Sequence, residues 1–174
     1  MREKMMLSMI ALGTVALAVF IANKIVNGTE ERLTVEIPMI VENHSMEDDY
    51  IPENAIIRFE LEEMEEASGI ADIKDELLYR VTTFENFSTG ALTFNFGGFD
   101  FSRAGIYKYR VTQVLHEDMT EQKNWELDLV SFYITITVTK IDGELSPFVT
   151  ILRANDSEWT EVPEVRFVNT YLSK

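Results

Sequence analysis

At 174 residues the chain has room, beyond an apolar head, for one domain of roughly 140 to 150 residues, enough for an ordinary hydrophobic core. Thirty acidic against fifteen basic side chains give a net charge of -15, a field that repels phosphate backbones and anionic surfaces and so excludes nucleic acid as a partner. With no cysteine, disulfides, thiolate metal sites and a cysteine nucleophile are excluded as well.

In chain order, Arg2 and Lys4 precede an apolar run of 18 residues, Met5 to Ala22, which Lys24 closes. A positive start followed by an apolar run is an export signal, and the positive end stays inside while the rest is delivered outside. Ala16-Leu17-Ala18 offers a small-x-small cleavage site, yet the run also reaches the lower edge of what spans a bilayer as a helix. Residues 1–26 are therefore expected to be a signal peptide or an N-terminal membrane anchor, in apolar helical form. The polar stretch 27–31 reads as a linker, and 32–172 as the folded domain, extracellular or at the cell surface.

Beyond the head the helical period is scarce and alternation dominates. LTVEIPMIV sets Val35, Ile37, Met39 and Val41 on one face, and AIIRFELEEM sets Ile57, Phe59 and Leu61 on another. GALTFNF, YKYRVTQVL, FYITITVTKI, FVTILRA and EVRFVNTYL follow, making seven or eight strands. Turn-rich pieces separate them, among them ENHSMEDDYIPEN and NFGGFDFSRAG, with Asp142-Gly143 as a tight hairpin turn. Lys74 to Glu76, flanked by Ile73 and Leu77, reads as a crossover loop with a helical turn. The fold class that follows is all-β, an immunoglobulin-like antiparallel two-sheet sandwich preceded by the N-terminal apolar helix.

The residues that usually carry catalysis are thin. His44 and His116 both sit beside acidic turn residues with no serine or second ligand at a recognisable spacing. No phosphate-cradling glycine loop, His-Glu-x-x-His or Gly-x-Ser-x-Gly occurs. The acidic clusters at Asp48-Asp49 and Glu62 to Glu66 lack the spacing of a calcium loop and read as solvated surface. Neither an enzyme activity, a cofactor nor a metal site has support.

One buried position stands out. In GIYKYRVTQV the face that holds Tyr107, Tyr109 and Val111 next receives Gln113, where an unpaired amide costs roughly 1 to 3 kcal/mol. Together, FNFGGFDFSRAGIYKYRVTQ, FYITITVTKIDGEL and the closing FVNTYLSK resemble the streptococcal pilin isopeptide linkage domain of Gram-positive backbone pilins and surface proteins. Gly105, Tyr107, Tyr109 and Val111 match its Gly-x-Tyr-x-Tyr-x-Val strand, Tyr133 to Val138 its Tyr-x-Val-x-Val-x-Val strand, and Phe167, Asn169 and Tyr171 its closing Phe-x-Asn-x-Tyr. The resemblance covers about residues 32 to 172.

What the resemblance implies is a covalent strut. In such domains a first-strand lysine attacks the side-chain amide of the last-strand asparagine, ammonia leaves, and a buried acid on the tyrosine strand moves the protons. Asn169 stands at the asparagine's place. Gln113 stands at the acid's, with no titratable proton to give. The lysine's place falls to Ile37 or Val41 by the inward phase, since no lysine lies between Lys24 and Lys74. Lys108 and Lys140 are out of phase with their strands' inward residues. The expectation is an isopeptide-domain fold without its bond, in which Gln113 and Asn169 satisfy one another. Gln113 at a half-exposed strand end is the competing reading. The C-terminal Tyr171-Leu172-Ser173-Lys174 carries no sortase signal, so attachment to the wall by that route is not expected. A pilin-like structural or adhesive role follows, with surface or pilus proteins as partners and the membrane reached through an uncleaved head. The alternative is a secreted module that binds a soluble or host ligand through its loops.

Overall fold

Branched and aromatic residues alternating with polar ones make strands, and among the described residues of the computed structural model no α-helix occurs. Those residues are 6–7, 21–27, 30–46, 56–64, 79–85, 89–115, 124–155 and 158–172. The elements in order are β1 (Met6–Leu7), β2 (Ile21–Asn27), β3 (Glu30–Glu36), β4 (Met39–Ser45), β5 (Ile56–Glu63), β6 (Tyr79–Glu85) and β7 (Gly90–Phe94). They continue with β8 (Phe99–Phe101), β9 (Gly105–Leu115), β10 (Trp125–Glu126), β11 (Ser131–Ile141), β12 (Glu144–Ala154), β13 (Trp159–Val162) and β14 (Val165–Tyr171).

One layer of the sandwich is a six-stranded sheet in the order β13-β12-β11-β9-β5-β6. The other is two four-stranded sheets, β1-β2-β3-β8 and β10-β14-β4-β7. LTVEIPMIV runs through both of these, and Ile37-Pro38 divides it into β3 and β4. A proline has no N–H to give a ladder, so the chain changes pairing partners there while Val35, Ile37, Met39 and Val41 stay buried. Among the described residues the one parallel pairing joins β4 to β14 in register from Met39 opposite Val165 to Ser45 opposite Tyr171.

The inward residues of both layers form one core. Phe59 of β5 packs against Phe94 of β7 and Phe167 of β14, with ring centroids 4.4 and 5.2 Å apart, and Phe132 of β11 meets Phe167 at 4.9 Å. Each fully buried phenylalanine contributes roughly 1.5 to 3 kcal/mol by leaving water. Arg80 of β6 closes one flank, donating from one guanidinium nitrogen to the carbonyls of Phe96 and Gly98 at 2.8 and 3.0 Å. Gly98 is required there, since a Cβ would lie 2.5 Å from the Thr34 methyl. The Asp142-Gly143 turn has positive φ at both residues, 53° and 90°, the twist a two-residue hairpin between β11 and β12 needs.

Several expectations change here. The stretch 27–31 is no free linker: Asn27 and Glu30 are register partners that close the β2–β3 hairpin. The branched residues Ile21, Ile25 and Val26, counted with the apolar head in sequence, form that hairpin's first strand. Most of the expected N-terminal helix lies outside the described residues, and the parts described, Met6–Leu7 and Ile21–Asn27, are strands. Among the described residues no helix is long and apolar enough to cross a membrane. The expected crossover at Lys74 to Glu76 also lies outside them.

Candidate functional site

The parallel pairing of β4 with β14 places two strands far apart in the chain side by side, and the register decides which side chains meet. Phe167 lies opposite Val41, and Asn169 opposite Asn43. By the two-residue period all four point into the sandwich, and all four are fully buried. From the facing sheet β9 sends in Gln113, 4% exposed, from the rung where it pairs with Phe59. It therefore lies well inside the core and not at a half-exposed strand end.

Gln113 and Asn169 form a reciprocal amide pair. Gln113 Nε2 donates to Asn169 Oδ1 at 2.9 Å, and Asn169 Nδ2 donates to Gln113 Oε1 at 3.0 Å. Asn169 Nδ2 also donates to Asn43 Oδ1 at 3.1 Å, and the Asp128 backbone N–H donates to Asn169 Oδ1 at 3.0 Å. Both hydrogens and both lone pairs of the Asn169 amide are thus used, the full capacity of a carboxamide. The Asp128 N–H can only meet an oxygen, which fixes the orientation of Asn169 and, through it, that of Gln113.

The segment between β10 and β11 carries Asp128 across this end of the sandwich. Its carboxylate accepts from the Val168 N–H at 3.2 Å and pairs with Arg153 at 3.3 Å. The outer edge of β14 is thereby capped next to the cluster. Asn43 is the one member with an unmet need: its Nδ2 is buried and has no partner among the described residues. A buried donor left so costs on the order of 1 to 3 kcal/mol.

The residue beside Asn169 on β4 is accordingly Asn43, not Ile37 or Val41. Val41 sits one rung away against Phe167, and Ile37 lies at the bend between β3 and β4. The sequence carried the signal, because Asn43 is the next inward position after Ile37, Met39 and Val41. It was missed because ENHSMEDDYIPEN reads as a turn, whereas β4 continues to Ser45. Asp128 had no signal at all, since its contact with Asn169 uses a backbone N–H that any residue but proline would supply.

The three amides by themselves supply neither a nucleophile nor an acid. A carboxamide nitrogen is no nucleophile and none of the three side chains carries a titratable proton at ordinary pH. Lys108 of β9 points away, one residue out of phase with buried Tyr109, and Lys140 is exposed by the hairpin turn. Lys74 lies outside the described residues. The nearest titratable group along β9 facing inward is Tyr109, whose phenol is pushed up by burial and, secondarily, by Glu63. Among the described residues no group of His, Asp or Glu is gathered for a metal ion.

In sequence, the family model described as Spy0128-like isopeptide containing domain, FctA, matches residues 46–172. No curated protein matches. Among solved structures the chain is similar to the major pilin from Streptococcus pyogenes, at 15% identity and a TM-score of 0.52, over 78% of this chain and 50% of that one. Two point mutants of that pilin, an asparagine-to-alanine and a glutamate-to-alanine, match at 13% and 17% identity over the same shares, each with a TM-score of 0.51. The chain thus spans half the length of the pilins it matches. With the aromatic strands, the parallel pairing of β4 with β14 and a family-model match over most of its length, the chain belongs to the FctA family of Spy0128-like isopeptide containing domains.

Proposed function

We propose that this chain is an extracellular, pilin-like structural domain that joins β4 to β14 by side-chain hydrogen bonds in place of a Lys–Asn isopeptide bond. The observation that supports it most is the register of Asn43 against Asn169, with Gln113 closing the cluster from the facing sheet. Bond formation in such domains needs a neutral amine beside the asparagine and an acid to carry protons. Asn43 takes the first place and Gln113 the second.

The exchange is physically consistent. A lysine without its acid, or an acid without its lysine, would be a lone charge in the core, and breaking such a pair costs several kcal/mol. Three neutral amides avoid that cost and keep the strands in register. The apolar, positively led head supports export to the cell surface, where the domain serves as a structural or adhesive element beside other surface or pilus proteins.

The mechanical consequence is testable. Pulled from its ends, the chain should unravel completely, because no covalent bridge stops extension between Asn43 and Asn169. That interval of 126 positions adds roughly 450 Å of contour at about 3.6 Å per residue. Single-molecule force spectroscopy that shows this length released supports the reading; unfolding that withholds it means that the strands are crosslinked.

A further inference from the structure

Residues 127–130 cross the end of the sandwich outside any ladder, as a strap between β10 and β11. β10 pairs with β14 at Tyr171 and Thr170, and the next two positions of β14 take their bonds from the strap instead. The Asp128 N–H donates to Asn169 Oδ1, and the Asp128 carboxylate accepts from the Val168 N–H. Arg153 of β12, in the facing layer, donates to both oxygens of that carboxylate at 3.3 and 3.5 Å. Asp128 thus ties the strap to both layers at once. Leu127 and Val130 pack on the core to either side, a contact that holds the strap down without setting where an N–H points. An open cavity of about 320 Å³ beside it, lined by Glu126, Leu127, Asp128, Arg153, Val168 and Thr170, gives the strap room to lift.

The direction of the Asp128 N–H matters because the three amides can bond in two ways. Turning all three carboxamides end for end exchanges each oxygen with a nitrogen. The reciprocal Gln113–Asn169 pair survives that exchange, and so does the contact of Asn169 with Asn43, with donor and acceptor swapped. Asn43 Nδ2, buried and unpartnered among the described residues, would then donate to Asn169 Oδ1. The turned pattern leaves a buried oxygen unpaired in place of a buried N–H, and carbonyl oxygens tolerate that better. What opposes it is the strap: the Asp128 N–H would meet Asn169 Nδ2, donor against donor.

We propose that the strap selects the bonding pattern of the amide cluster, with Asp128 as the positioning residue and Arg153 as its support from the facing sheet. Arg153 acts on Asn169 through Asp128 alone. The inference rests on the cluster being uncrosslinked, as proposed above.

Side-chain amide exchange tests it in the full chain, labelled with nitrogen-15 and held in detergent micelles. In the parent, Asn169 and Gln113 should each show one pair of NH2 protons that exchange slowly with deuterated water. Each rate is read relative to the backbone amides of Phe59 and Leu61, buried on β5, which report global unfolding. Asp128→Ala should speed both side chains by about tenfold or more, the equivalent of one charged hydrogen bond, and give the three amides a second set of resonances. Arg153→Met, the loss of a half-exposed ion pair, should speed them by about threefold, and Arg153→Lys should restore most of the protection. Asp128→Asn keeps an oxygen for the Val168 N–H and should fall between the parent and Asp128→Ala. Arg166→Met removes an ion pair with Glu42 on the outer side of the same strand and should leave both amides as in the parent. The proposal is overturned if Asp128→Ala leaves Asn169 exchange unchanged with no second set, or if Arg166→Met speeds it as much. A single Asn169 side-chain proton, the mark of a secondary amide, would overturn the uncrosslinked reading itself, a result distinct from both.

Discussion

Two adjacent rungs of the same parallel strand pair behave as opposites. At one, Val41 faces Phe167, and Phe167 packs on the rings of Phe59 and Phe132. At the next, Asn43 faces Asn169, and Asn169 spends all four of its hydrogen-bonding positions on Gln113, Asn43 and Asp128. Both rungs are fully buried and both join the two layers. The first holds by volume and contact, which tolerate many residues of the right size. The second holds by donor and acceptor count, which tolerates few.

Substitutions should separate these two kinds of support. Phe167→Ala should cost most, about 3 to 5 kcal/mol in chemical denaturation, because it opens a ring-sized hole between Phe59 and Phe132. Asn169→Ala comes next, at about 2 to 3 kcal/mol, since it leaves the Gln113 amide unpaired in the core and takes the acceptor from the half-buried Asp128 N–H. An Asn169→Ala variant as stable as the parent would mean that the amides contribute nothing. Asn43→Leu should be smallest, within about 1 kcal/mol of the parent. It takes one acceptor from Asn169 Nδ2, which keeps Gln113 Oε1, and removes the unpartnered Asn43 Nδ2 at the same stroke. If Asn43→Leu proved as costly as Asn169→Ala, the cluster would be one three-way unit and not a pair with an accessory third member.

What the sequence made legible follows the same physics. Alternation over many residues gave the long strands: β5, β9, β11 and β14 are each recognisable from inward residues such as Phe59, Tyr109, Ile134 and Phe167. The Asp-Gly turn was legible because it demands a specific backbone. Short strands were not. β8 is only Phe-Asp-Phe inside a glycine-rich stretch, and β13 is Trp159–Val162, too brief for a period to show. β2 was hidden because Ile21, Ile25 and Val26 suit an apolar head as well as a strand.

At the site, Gln113 and Asn169 could be read from phase alone, because Gln113 follows Tyr107, Tyr109 and Val111, and Asn169 falls between Phe167 and Tyr171. The third amide could not be placed without knowing where β4 ends and how it registers on β14. A parallel pairing between strands 126 positions apart leaves no mark in local sequence. The polar run Glu42-Asn43-His44-Ser45 looks like a loop until the facing strand supplies Asn169 as a partner.

The central claim is that β4 and β14 are held together without a covalent bridge at Asn169, and intact-mass spectrometry of the folded protein tests it most directly. Condensation of a lysine with Asn169 would expel ammonia and lower the mass by about 17 Da. The account predicts the full mass of the mature chain, with no such deficit; a deficit of one ammonia, traced to a peptide joining Asn169 to any lysine, would contradict it.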